Sequence, residues 1–558
     1  MILKALYDYY QRCGNLPNKG TELKEIGYLV VLAPDGTFLR LESRMIDKKQ
    51  ANTFLVLQTV KRSGKKYAAN YLWDNVEYLF GGEGESNKKK KMFIEQVIEF
   101  QNVLRENKNL IAIKNFYSIY ESPLSVVSRH ELWDEMVKSN KNISFLLEGE
   151  TKIAAEDGEV WNLVLNKNTI NNKYCLISGE KGVLARLHSK IKLTKDTGPL
   201  VSFQVNSGYD SYGKTKCYNA PISEEAEFAY TTALNTLLQK DSHNKFLLGS
   251  RTFVFWASSN SDASIKTEES LFDLLGSKEE KKDDPNANIA KVRKVFEAIY
   301  SGKLKTTLED KFYILGLAPN SARIAVVYWS ETILRDFAAK LISHFEDMEI
   351  VDTRKEKKPY QGMRNMISTV TLNGKDSDAT PNLPESVLKS IFQGLPYPFT
   401  LYSACIRRIR AEQQLTIARA AIVKAYLNRL KNDNNEKIKV MLDKENTNQG
   451  YLCGRLFAVL DKIQEEANKI SSIRERYMNA ASATPSSVFA TILNLSLHHS
   501  EKLSDGRRIY FEKIKQEIID KLSADGFPTH LDLQNQGRFF VGYYHQRQDF
   551  FTGKNEQE

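Results

Sequence analysis

Lys61, Arg62, Lys65 and Lys66 bracket the dipeptide Ser63-Gly64, and Tyr67, Tyr71 and Trp73 follow on odd-numbered positions before Asp74-Asn75. Cations around a turn signal can meet phosphates, and amide side chains such as Asn70 and Asn75 present the donors and acceptors that suit base edges. In an extended segment alternate side chains share a face, so Tyr67, Ala69, Tyr71 and Trp73 would lie on one side while the cations occupy the tip. The chemistry expected here is nucleic-acid contact, with Lys61, Arg62, Gly64, Lys65, Lys66, Asn70, Tyr71, Trp73 and Asn75 as the candidate residues. An ordinary basic hairpin with core aromatics has the same spacing, since charge runs beside turns are commonly just solvated.

Other cations also cluster: Lys88 to Lys91 in "NKKKKM", Arg186, Lys190, Lys192 and Lys195 in "ARLHSKIKLTK", and Arg407, Arg408 and Arg410 in "RRIR". Between Leu401 and Leu430 stand Arg407, Arg408, Arg410, Arg419, Lys424 and Arg429 with Glu412 as the single acid. On one helix they cover more than half the circumference, which fits either tracking of a nucleic-acid backbone or pairing with acids of neighbouring helices. The Tyr-, Gly-, Lys- and Asn-rich tract Ser211 to Pro221, with Lys214 and Asn219, has the composition of a loop that contacts a polar ligand, and equally of a well-packed loop. Overall, Lys plus Arg number 79 against 69 Asp plus Glu, a net charge of +10. Over 558 residues that excess is modest, so local clusters have to carry any polyanion binding.

Catalytic patterns are not legible, and neither catalytic residues nor a cofactor are expected. His498-His499 is the one histidine pair, and adjacent helical positions point about 100° apart, a poor arrangement for one metal ion. His545 has no cysteine or carboxylate at metal or nucleophile spacing. Cys13, Cys175, Cys217, Cys405 and Cys453 are odd in number and scattered, which suits reduced structural thiols and no metal site. Lys214 and Lys216 flank Cys217 without a histidine partner nearby. Gly81, Gly82 and Gly84 lack the Gly-Lys-Ser/Thr sequel of a phosphate loop and are expected to form a turn.

The elements that must position these residues give an α+β chain: a mixed α/β N-terminal part followed by a C-terminal antiparallel helical bundle. Expected regions are 1–110, carrying the basic finger; 111–352, a mixed α/β body; and 383–558, helical. Ile2 to Tyr10 should be helical, "GYLVVLAPDGTFLRL" should pair two strands across the Pro34-Asp35-Gly36 turn, and a helix should run from Lys90 to Leu104. Ser223 with Glu224 and Glu225 starts another whose stripe is Ala226, Ala229, Tyr230, Ala233, Leu234, Leu237 and Leu238. "TFVFWA" and "RIAVVYW" read as strands. Helices are expected from Pro384 to Gly394, Leu401 to Leu430, Tyr451 to Ile470, Pro485 to Leu503 behind a Thr484 cap, and Arg507 to Leu522. No apolar run reaches the roughly 18 residues that span a bilayer, so a cytoplasmic protein without membrane contact is expected.

"VKRSG" with "NYLWDNVEYLFG", behind the opening "MILKALYDYYQR", resembles the large subunit of the type I-C CRISPR surveillance complex, the Csd family of Cascade proteins. Similar stretches follow in the family's order at 200–238, 251–257, 312–329, 404–413, 454–468 and 482–493. Within the finger the likeness is close at Arg62, Gly64, Asn70, Leu72, Trp73, Asp74 and Asn75, while Lys65, Lys66 and Ala68 depart from it. The resemblance implies a non-catalytic subunit of a crRNA-guided complex whose N-terminal part reads a short motif beside the target in double-stranded DNA. The guide reads the remaining sequence by base pairing. It implies as partners the crRNA and target duplex, the crRNA handle-binding subunit, the repeated backbone subunits, the small subunit and a recruited helicase-nuclease. It further implies a small subunit made from an internal start, for which Met441 and Met478 are the candidate codons. Two competing classes remain at this point: a precursor-crRNA endonuclease, and an assembly scaffold without DNA contact.

Overall fold

The computed structural model describes all residues except 15, 61–66, 83, 121, 166–172, 194–195, 206–207, 209–211, 249–250, 276–284, 321–322, 354–361, 431–436, 471 and 553–558. Helix makes up about 52% and strand about 16%, and the helices dominate after the last sheet, which is the expected α+β arrangement. Contacts divide the chain into two compact units, one of Leu6–Ser189 and Val201–Ala233, the other of Met1–Ala5, Lys190–Leu200 and Leu234–Glu558. No helix among the described residues is long and apolar enough to cross a membrane.

Helix α1 (Ile2–Arg12) leads into the first unit, whose centre is the long strand β1 (Thr21–Leu32). Its second half pairs antiparallel with β2 (Phe38–Ser43), through the expected turn in which Gly36 (φ 96°) donates to the Ala33 carbonyl. Its first half pairs antiparallel with β3 (Thr53–Leu57). The short β4 (Trp73–Asp74) is followed by helices α2 (Val76–Phe80), α3 (Glu85–Val103) and α4 (Lys108–Ile119). Then β5 (Asn142–Leu147) returns parallel to β1 and pairs antiparallel with β4 on its other side.

Alternation along β1 buries both faces of this sheet. Tyr28, Val30 and Leu32 pack with Phe93 and Val97 of α3 and Leu110, Ile113 and Phe116 of α4. Leu29 and Val31 pack on the opposite side with Val56, Trp73 and Ile153. A strand covered on both faces holds its register firmly, because a one-residue slip exchanges the two sets. The expected Ser223 start also forms: its hydroxyl oxygen accepts from the Ala226 N–H at 3.2 Å, and every residue of the stripe named above is buried.

The second unit contains a four-stranded antiparallel sheet in the order Lys245–Leu248, Arg251–Ala257, Lys311–Asn320, Arg323–Ile333. One apolar cluster runs from Phe246 and Phe253 of this sheet through Phe337, Ile391 and Tyr402 to Phe457, Phe539 and Tyr544. The helix expected over Leu401 to Leu430 is two helices, Phe399–Glu412 and Ile417–Arg429. Gln413 takes a left-handed conformation (φ 51°) that ends the first, and the Thr416 hydroxyl caps the second by accepting from the Arg419 N–H. The helix expected from Pro485 begins instead as a 3₁₀ turn, Pro485–Ser487, ahead of Phe489–Ser500. Past residue 470 the helices Ser472–Ala483 and Leu533–Thr552 were not among those expected from the sequence.

Two buried histidines in this unit bond tyrosine hydroxyls. The His545 ring nitrogen lies 2.9 Å from the Tyr451 hydroxyl, and that of His344 lies 2.7 Å from the Tyr397 hydroxyl. Burial pushes both imidazoles down to about 3, so both are neutral near pH 7.

Candidate nucleic-acid interface

Residues 61–66, which carry Lys61, Arg62, Gly64, Lys65 and Lys66, lie outside the described residues. What the structure describes is their mount. On the leading side the Thr59 N–H donates to Glu22 of β1 at 2.8 Å. The Val60 N–H donates to Asn70 Oδ1 at 3.0 Å, so one side chain ties together the two chain segments that flank the cations. Asn70 is itself fixed from below: its N–H donates to Asp74 Oδ2 at 3.0 Å, and the other carboxylate oxygen of Asp74 accepts from the Asn75 N–H at 2.9 Å. Asn75 in turn caps α2, its side-chain oxygen accepting from the Tyr78 N–H at 3.3 Å. Asn70 and Asp74 are both 2% exposed, and a buried carboxylate bonded to two main-chain N–H groups is costly to disturb.

Asn70 and Trp73 therefore stand elsewhere than the reading of the finger as base-contacting side chains requires. Asn70 is enclosed and spends its carbonyl oxygen on Val60, and Trp73 is 1% exposed with Lys24 Nζ 5.1 Å from its ring centre. The expected alternation also fails. Tyr71 and Leu72 form a bend, and Leu72 has φ 61°, which turns Leu72 into one apolar cluster and Trp73 into the other. Such a backbone costs an L-residue about 1 kcal/mol or more. The Ser144 hydroxyl holds it by donating to the Leu72 carbonyl at 2.9 Å. Tyr71 is half-buried and stacks on Phe100 of α3, with ring centres 6.1 Å apart, and burial raises its hydroxyl pKa. Asn75 is half-buried and occupied by its cap.

Tyr67, the first described residue past the cations, rests against α3. Glu85 beside its hydroxyl raises its pKa, and Lys89 Nζ lies 6.0 Å from its ring centre and 5.9 Å from that of Tyr78. Lys89 also pairs with Glu77 at 2.5 Å, which raises the lysine pKa. Asp74 and Lys89 organise this mount, a role the sequence did not mark: there Asp74 only closes the run and Lys89 is one of four clustered lysines. Their partners Asn70 and Glu77 are only four and twelve residues away, but nothing in the types alone marks such pairs.

The other predicted residues fall in separate places. In the tract near 214, Asn219 Nδ2 donates to the carbonyls of Lys214 (3.2 Å) and Lys216 (3.0 Å), so this amide folds its own 3₁₀ turn while Lys214 is exposed. Tyr212 beside it is 98% exposed with φ 51°, and Cys217 is buried. Of the cations between Leu401 and Leu430, Arg419 is buried against Glu412 and the carbonyls of Thr369 and Gln414. Lys424 is 2% exposed and donates to the carbonyls of Glu346 and Asp347, and Arg429 pairs with Asp347. These three hold helices together and are not a backbone track. Arg408 pairs with Glu412, Arg410 reaches Gln536 at 3.4 Å, and Arg407 is exposed. Among the described residues no three His, Cys, Asp or Glu side chains converge as metal ligands would.

The sequence profile of the family described as CRISPR-associated protein (Cas_Csd1) matches residues 6–551 of this chain. No curated protein matches it.

Proposed function

Because this chain belongs to the Cas_Csd1 family of CRISPR-associated proteins, we propose that it works in the cytoplasm as the non-catalytic large subunit of a type I-C crRNA-guided surveillance complex. Its first unit reads the protospacer-adjacent motif in double-stranded DNA, and the complex then holds the R-loop and recruits the helicase-nuclease. The observation that carries this reading is the mount. Thr59 and Val60 before the cations and Asn70 after them are tied to β1 and to each other, beside a sheet buried on both faces, so the residues that flank the cations are held in register. Specific readout requires that kind of preorganisation. In this reading Asn70, Trp73 and Asn75 support, and Lys61 to Lys66 touch the duplex. The test is whether a complex assembled without this chain still prefers target duplexes that carry the motif; the reading requires that it does not.

The implied small subunit is proposed to arise by initiation at Met441. Met441 is 62% exposed and precedes the helix Gln449–Asn468, so a product starting there keeps that helix and its closest-packed partner Leu533–Thr552 together. Initiation at Met478 would discard Gln449–Asn468 and begin inside Ser472–Ala483. Mass spectrometry of the natural gene's products should find a second species beginning at Met441, lost on Met441→Leu. If the full-length chain alone appears, the internal start is wrong.

A further inference from the structure

Past Leu57, the last residue of β3, the chain leaves its ladder with β1 and is held largely by side chains. The Gln58 N–H still donates to the Gly20 carbonyl at 2.7 Å, but Thr59 is met by two charged residues of β1. Glu22 accepts from the Thr59 N–H at 2.8 Å and from its hydroxyl, while Lys24 Nζ donates to the same hydroxyl oxygen at 3.2 Å. Residues two apart on a strand share a face, which is why both side chains reach one threonine. Its hydroxyl is thereby used as donor and as acceptor.

Lys24 has a second contact that Glu22 lacks. Its Nζ lies 5.1 Å from the ring centre of the buried Trp73, so one ammonium touches Thr59 ahead of residues 61–66 and Trp73 behind them. The Glu22 carboxylate stands 3.8 Å away, and both side chains are half-buried. A charge-assisted hydrogen bond and an ammonium over an indole face both gain where water is partly excluded. Neither contact is needed to close the sheet: β1 and β3 pair over five residues from Thr21 to Glu25, and Trp73 packs with Leu29, Val31 and Val56.

We infer that Lys24 is a positioning residue for motif reading: it ties the Thr59 segment to the Trp73 segment and keeps the two at one separation. The inference rests on the duplex-reading role proposed above. Without the tie the two segments hold that arrangement for only part of the time, and the apparent affinity for a ligand that requires it falls by the same fraction. Phosphate contacts carry no sequence information and are spared. Lys24 therefore adds motif preference without adding a phosphate contact.

The experiment compares the assembled complex with its Lys24→Met variant, which keeps an apolar stem beside Trp73 and loses the charge, and with Thr59→Val, which removes the hydroxyl and leaves the charge. Binding is measured from low to physiological salt on a target duplex with the motif and on the same duplex with its flank scrambled. Each variant should bind the motif duplex about tenfold more weakly, the usual worth of a hydrogen bond to a charged group. Binding to the scrambled duplex, the salt slope on both and the thermal midpoint should stay as they are, and Lys24→Arg should restore the preference. Combined, the two changes should cost less than the product of their separate effects, because they remove one shared contact. A slope lowered by about 0.9 on both duplexes would make Lys24 a phosphate contact. An equal loss on both with a lower thermal midpoint would make it a structural residue only. Either result, or an unchanged preference in Lys24→Met, overturns the inference. A natural complex that does not distinguish the two duplexes fails the duplex-reading role itself, and the inference with it.

Discussion

Lys65→Glu/Lys66→Glu should weaken binding of the assembled complex to its target duplex by orders of magnitude while the complex still assembles. The double change removes two cations and adds two anions between Val60 and Asn70, so two contacts that would seat this segment on the duplex become two repulsions and the motif is no longer reached. Each lost phosphate contact lowers the salt slope by about 0.9, and the new repulsions add to that loss at physiological salt. The mount is expected to survive, because Asn70, Asp74, Asn75 and Tyr67 bond one another, main-chain groups and α3, and do not depend on the replaced side chains in any contact described above. Filter binding or gel shift against salt, beside gel filtration of the complex, checks both halves. Unchanged target binding at physiological salt would remove the finger from the DNA interface.

The second large effect concerns stability. Helices Gln449–Asn468 and Leu533–Thr552 meet backbone to backbone. A Cβ at Gly454 would overlap the Phe539 carbonyl, one at Gly542 would overlap the Tyr451 carbonyl, and one at Gly450 would stand 2.5 Å from the Asn535 carbonyl oxygen. Helix propensity favours alanine over glycine by about 1 kcal/mol. Here sterics outweigh it, because the obstructing atoms are main chain that moves only if the helices part, and overpacking costs about 1–3 kcal/mol or more. Gly454→Ala should therefore destabilise this unit by about 2 kcal/mol. Gly506→Ala, where an added methyl meets nothing within 4 Å, should leave stability unchanged or raise it by about 0.4–1 kcal/mol. Urea midpoints of the two variants should move in opposite directions, or at least only Gly454→Ala should fall. A Gly454→Ala protein as stable as the parent would contradict the close helix contact.

Where structure is set locally, the sequence was readable. The Pro34-Asp35-Gly36 turn, the Ser223 helix start with its seven-residue stripe, and the Gly394 stop (φ 70°) after Leu383–Gln393 each follow from side chains within a few positions. What was not readable is set by distant partners. Gln413 ends a helix with neither glycine nor proline, and Arg419 and Lys424, which look like surface cations, are satisfied by carbonyls 50 and 77 or more residues away. Leu533–Thr552 contains Gly537 and Gly542, ordinarily helix-weakening, yet it meets Gln449–Asn468 backbone to backbone. In the finger, the aromatic spacing suggested a ribbon, but the left-handed Leu72 depends on Ser144, 72 residues on. The residue types that suggested nucleic acid were legible; the enclosure of Asn70 and Trp73 was not, because it depends on how the chain folds around them.

The central claim is that this chain supplies the motif reading of the complex. A library of target duplexes identical in the guide-matched region and randomised in the flanking positions should be bound by complexes containing the natural chain, the Lys65→Glu/Lys66→Glu variant, or no copy of this chain. Sequencing the retained DNA should show base enrichment at the flank for the natural complex and a flat distribution for the other two. The same enriched motif recovered without this chain would place the reader in another subunit and contradict the account.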